Sequence, residues 1–123
     1  MGEITHTVKT IDGYDVVVLK FKGDISVDEI INSFKYIQKN LLTDKTIGIL
    51  TDTSQAELKF TISKLPKILA FLLKNKNIRK LKFAIVAISP DVVTFPMVAR
   101  NKMPFLKIKV FSSRKASVKW LLE

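Results

Sequence analysis

No cysteine occurs among the 123 residues, which excludes thiolate nucleophiles, zinc-thiolate sites, iron-sulfur clusters and disulfide frameworks. Glycine is nearly as scarce: Gly2, Gly13, Gly23 and Gly48 are the only four, and no Gly-x-Gly-x-x-Gly, Walker A or Gly-x-Ser-x-Gly stretch exists. Backbone cradles for nucleotide phosphates and the serine nucleophile elbow are therefore excluded. His6 is the single histidine and has no second His or Cys to complete a metal or nucleophilic set, so it reads as a half-buried structural residue. No apolar run approaches membrane-spanning length. Nor does the start Met1-Gly2-Glu3-Ile4-Thr5-His6 show a cationic segment followed by an apolar one, so a secretory leader is not expected and the reading is cytoplasmic.

What is present describes one self-sufficient domain over residues 1–123. With 47% hydrophobic and 26% charged residues the chain is globular in composition, and a chain this long buries roughly two-thirds of its unfolded surface. Charge is uneven. Residues 1–60 hold seven Lys/Arg against nine Asp/Glu, whereas residues 61–123 hold fourteen against two, and the whole carries +10. Only Arg79, Arg100 and Arg114 of the 21 cations are arginine. Lysine is a hydrated point charge rather than a rigid fork for base edges, which argues against sequence-specific nucleic-acid reading.

The periodicity predicts a β-hairpin around Asp12-Gly13, its second arm running from Tyr14 to Lys22 and closed by Gly23-Asp24. Ser26-Val27-Asp28-Glu29 has capping-box spacing and starts a helix whose stripe is Val27, Ile30, Ile31, Phe34, Ile37 and Leu41, ending near Asn40. Asp24, Asp28 and Glu29 are explained by capping and the helix dipole. Residues 46–51 read as the third strand, with Asp52, Thr53 and Ser54 at its carboxyl end. The second helix starts near Ser63, takes Pro66 in its first turn, buries Leu65, Ile68, Leu69 and Leu72, and stops at Asn75-Lys76-Asn77. Leu81–Ile88 is apolar enough for a central strand covered on both faces. Ser89-Pro90-Asp91 caps a third helix over 90–101 that Pro96 should shorten or break. Phe105–Phe111 alternates with Lys107 and Lys109, as an edge strand does. Ser113 caps a last helix through Leu122, whose Trp120 and Leu121 should pack on the sheet. The order is β-β-α-β-α-β-α-β-α: an α/β domain with about five strands, mostly parallel, and about four helices.

This order, with Val16–Lys22, Thr51-Asp52-Thr53, Leu81–Ile88 and Val110-Phe111 … Ala116 … Trp120-Leu121, resembles the SpoIIAA-like or STAS group of small cytoplasmic domains. The resemblance spans nearly the whole chain. It implies a non-catalytic regulatory module without a cofactor. Members that antagonise anti-sigma factors bind a partner kinase around the second helix and are switched by phosphorylation in a Ser-Gly motif at that helix's start. The corresponding register here reads Phe60-Thr61-Ile62-Ser63-Lys64, without Gly, which sets the chain nearer the branch described simply as SpoIIAA-like, with the same fold and no settled activity.

The regulatory or ligand candidates are thus Asp52, Thr53, Ser54, Thr61 and Ser63, with turn and cap chemistry as the plainer account of each. Lys64, Lys67, Lys74, Lys76, Arg79, Lys80 and Lys82 place seven cations within nineteen residues. They are either a solvated helix face or a basic surface for an anionic protein or lipid, with nucleic acid disfavoured. Met97–Phe105, with Met103-Pro104, either fills the core or lines an apolar pocket. The functional expectation is protein-protein contact through the second helix and the basic loop after it. The alternatives are carriage of a small apolar or lipid-like ligand, or weak binding to anionic surfaces including nucleic acid; a homodimer stays open.

Overall fold

Two consecutive residues in left-handed backbone, Asp12 (φ 53°) and Gly13 (φ 83°), turn β1 (Glu3–Ile11) back onto β2 (Tyr14–Ile25). An Asp-Gly pair suits that turn because its twist matches the flanking strands. A computed structural model describes residues 2–58, 62–88 and 90–123, with side chains at 62 and 90–93 left aside. After the hairpin come α1 (Val27–Asn40), β3 (Thr46–Leu58), a 3-10 turn (Ile62–Lys64), α2 (Leu65–Lys74), α3 (Lys76–Arg79), β4 (Lys82–Val86), α4 (Pro90–Lys102), β5 (Lys107–Phe111) and α5 (Arg114–Leu121). The five strands lie side by side in sequence order; β1 is antiparallel to β2, and β2 through β5 run parallel. The expected α/β architecture is present.

Caps behave as their sequences require. Ser26 Oγ accepts from the Glu29 N–H and Glu29 Oε1 accepts from the Ser26 N–H, both at 3.2 Å, so two orphan amides of α1 are satisfied reciprocally. Ser113 Oγ accepts from the Ala116 N–H at 3.2 Å and starts α5 in the same way.

The sheet has two unlike faces. On one, Val17, Leu19, Phe21, Ile49 and Phe83 form the main core with the apolar stripes of α1 and α2, Ile78 of α3 and Ala99 of α4. On the other, α5 is the one helix among the described residues that covers Val16, Val18, Leu50, Ala84 and Val86, with Leu121 as its buried anchor. Gly48 lets that helix sit close, since a Cβ there would collide with Leu121 and with the Lys82 carbonyl.

Four expectations are corrected. The third strand does not stop at residue 51: β3 runs on to Leu58 because β2 passes through Gly23 (φ 73°) to Ile25 and keeps pairing, Lys22 with Gln55 through Ile25 with Leu58. Asn75-Lys76-Asn77 does not end the helical region, since Ile78 is fully buried and draws the chain into the short α3, giving five helices among the described residues where about four were expected. The central strand is only Lys82–Val86, and Ile88 beyond it is 71% exposed. Pro96 does not break α4, which continues to Lys102 with the proline ring buried against the sheet. The expected cap at Ser89-Pro90-Asp91 lies outside the described residues and side chains.

Candidate functional site

Asp52 sits in the middle of β3 yet level with Val86, the last residue of β4, because β2 and β3 outrun the rest of the sheet. A bulge begins here: Lys20 pairs with Asp52 and Lys22 with Gln55, so Thr53 and Ser54 together oppose Phe21. The Asp52 side chain is buried on the α5 side. Its Oδ1 accepts from the Ser54 N–H (3.0 Å) and Ser54 Oγ (2.7 Å), and its Oδ2 accepts from Arg114 Nε (2.8 Å) in the first turn of α5. Burial pushes the carboxyl's pKa up, but the Ser54 and Arg114 hydrogen bonds and the guanidinium charge outweigh it, holding the group below its ordinary value. It is a charged structural clasp with both oxygens engaged.

Thr53 turns the other way. Its hydroxyl donates to the Val86 carbonyl at 2.8 Å and its side chain faces the helices, so the predicted polar set is divided between the faces of the sheet rather than gathered on one. Ser63 is exposed in the 3-10 turn ahead of α2. Thr61 lies outside the described residues. Arg114, the partner that explains Asp52, is missing from the sequence candidates because a contact across 62 positions leaves no local pattern.

The basic residues are divided as well. Lys64 and Lys67 stand at the amino end of α2, where Lys67 Nζ meets Asp28 Oδ1 of α1 at 2.7 Å in an exposed pair. Lys74, Lys76, Arg79 and Lys80 lie around its carboxyl end and α3, about 15 Å further along at 1.5 Å per residue. Arg79 organises this second group: one Nη donates to the Leu73 carbonyl at 3.2 Å, and its guanidinium carbon lies 5.5 Å from the centre of the Phe105 ring. Leu73 (57% exposed) and Phe105 (56% exposed) bring apolar surface to the same place. Neither residue stands out in a sequence, since Leu73 merely widens a helical stripe and Phe105 opens a strand-like alternation.

His6 Nε2 is 2.7 Å from the buried Ser33 Oγ of α1, and its ring lies 4.7 Å from that of Tyr36. Partial burial lowers its pKa. Met103 belongs to the main core, whereas Met97 is exposed beside a depression of about 260 Å³ over β5. Among the described residues no group of three or more His, Asp or Glu is placed to hold a metal ion, and no helix is long and apolar enough to cross a membrane.

A hairpin joined to a parallel run, strands in sequence order, helices crowding one face and a single terminal helix on the other: this is a SpoIIAA-like fold. Several solved structures share it. An uncharacterized protein of the DUF3478 family from Shewanella loihica PV-4, described as having a SpoIIAA-like fold, superposes with a TM-score of 0.70 at 16% identity, over 98% of this chain and 95% of that one. An anti-sigma factor antagonist from Mycobacterium paratuberculosis gives 0.63 at 17% identity, over 98% and 96%. No protein-family model and no curated protein matches the sequence. The resemblance read from the sequence therefore holds at the level of the fold.

Proposed function

We propose that the chain is a non-catalytic regulatory module that docks an acidic protein partner through α2, α3 and the turn before β5. The observation carrying this is the junction at Arg79, where two exposed apolar side chains, Leu73 and Phe105, are framed by Lys74, Lys76 and Lys80. Arginine, an aromatic ring and exposed aliphatic surface are the ingredients of interface hot spots, and a lysine rim selects an acidic counterpart and speeds its approach. The likeness to an antagonist of an anti-sigma factor supports contact with protein as the work of this fold. The reading also draws on Asp52, whose carboxylate is fully engaged by Ser54 and Arg114 and so is not free to act on a substrate.

Capture from the native cell tests it, comparing the parent with a variant carrying Leu73→Ser, Phe105→Ser, Lys74→Gln, Lys76→Gln and Lys80→Gln. The parent should retain a specific acidic protein, in a salt-sensitive manner, that the variant loses while keeping its circular dichroism and thermal midpoint. Equal capture by both would overturn the reading. Loss of retention on anionic vesicles or DNA, with no protein captured, would transfer the surface to those partners.

A further inference from the structure

Between the helix-bearing face of the sheet and helices α1, α2 and α4 lies a pocket of about 110 Å³. Its wall is apolar and rich in rings, including Phe21, Phe34, Phe83 and Phe95, and among the described residues no charged side chain contributes to it. Among the described residues Thr51 and Thr53, two apart on β3, supply its only polar side chains. Thr53 already gives its proton to the Val86 carbonyl. Thr51 differs: it is only 6% exposed, it lines the pocket, and among the described residues its hydroxyl makes no hydrogen bond. Because no buried side-chain oxygen or nitrogen among the described residues is left unpaired, that hydroxyl is not sealed in the core but opens onto the pocket, where a polar atom of an occupant can reach it.

These features restrict the occupant. The described wall offers a buried charge no counterion, which disfavours carboxylates, phosphates and ammonium groups there. The volume is somewhat below that of the roughly 150 Å³ engineered apolar cavity that takes benzene, so the space suits one ring rather than a long acyl chain. Aromatic walls favour an aromatic body.

We infer that this pocket is a binding site for a small neutral phenol-like molecule, one aromatic ring whose single oxygen hydrogen-bonds to Thr51. The site is separate from the docking surface around Arg79 and does not depend on it. Four helical wall residues, Leu65, Ile68, Leu69 and Leu72, all come from α2, so the occupant rests directly on that helix.

Amide NMR titration of the full chain with phenol, benzene and benzoate tests the assignment. Phenol should give saturable shifts at residues 51–53, 68–72 and 95–99, benzene weaker ones at the same amides, and benzoate none. Thr51→Val should lower phenol affinity about five- to tenfold, the worth of one hydrogen bond, and leave benzene unchanged. Thr51→Ser, which keeps the hydroxyl, should preserve the preference for phenol. Ala99→Leu, which adds volume to the wall, should weaken both ligands; should that variant not fold, Ile68→Phe repeats the blocking test from α2. Phenol shifts that do not saturate or that fall elsewhere would overturn the proposal, as would phenol affinity unchanged by Thr51→Val. A pocket holding only water would give the first of these results.

Discussion

The two faces of the sheet solve one problem differently. The first is covered by three long helices and the short α3, and packs almost wholly by apolar burial, with no charged side chain in its core among the described residues. The second has only the eight-residue α5, whose apolar contribution is small, and polar ties hold both ends of that helix. At its amino end Arg114 is bound to Asp52. At its carboxyl end Lys82 Nζ donates to the carbonyls of Trp120 (3.1 Å) and Glu123 (3.0 Å) and lies 5.3 Å from the centre of the Trp120 ring. A cation there satisfies carbonyls without a helical partner and faces the negative end of the dipole. The lesson is that charges on the α5 face are structural, whereas the helix-rich face, stable without them, leaves its outer surface and its pocket available for binding.

Truncating the anchor of the sparse face sharpens the contrast most. Leu121 is 2% exposed and closes the smaller core, so Leu121→Ala should cost about 2–5 kcal/mol by chemical denaturation. A loss well below this would mean that the polar ties alone hold α5.

Breaking one tie comes next. Asp52→Asn removes the charge from a buried clasp but leaves Arg114 able to reach water, so about 1–3 kcal/mol should be lost. The effect depends on pH with a definite sign. Because the folded carboxyl titrates below its unfolded value, its contribution is complete above the unfolded pKa, about 4, and disappears as pH falls from there through the lowered folded value. The parent should lose stability over that acid range and Asp52→Asn should lose less. Identical acid limbs would show that the clasp is not stabilising.

Trp120 should matter less than its size suggests. Its ring is half-buried, 5.7 Å from the centre of the Phe111 ring and beneath Lys82, so Trp120→Ala should cost about 1–2 kcal/mol, less than Leu121→Ala. The reverse ranking would make the indole, not Leu121, the anchor of α5.

The smallest effect belongs to the helix-rich face. Burial lowers the pKa of His6, so the unfolded chain takes up the proton more readily. Stability is then complete above pH 6.5 and declines slightly as pH falls from 6.5 to the lowered folded value. His6→Gln should remove that slope and leave the midpoint at pH 8 little changed. A slope that survives the substitution would place its origin in another group.

Much of the fold was legible because its signals are local: the Asp12-Gly13 turn, the Ser26 to Glu29 capping box, the Pro66 first turn and the Ser113 cap each act within four residues. The overlooked tail of β3 carried a signal too, since Gln55, Ala56, Glu57 and Leu58 alternate polar and apolar. Thr51-Asp52-Thr53-Ser54 masks it by looking like turn chemistry, when those residues form a bulge that only the pairing with β2 reveals. The candidate site was less legible. Asp52 draws its meaning from Arg114, and Leu73 and Phe105 draw theirs from Arg79; pairings of this kind are made by the fold rather than by spacing.

Amide hydrogen exchange of the chain with and without its captured partner reports both faces of the sheet in one experiment. Added protection is expected over residues 65–80 and 102–107, with residues 114–121 of α5 unchanged. Protection confined to α5 and the exposed side of the β1-β2 hairpin would contradict that expectation, placing the binding surface on the face assigned here to structural charge.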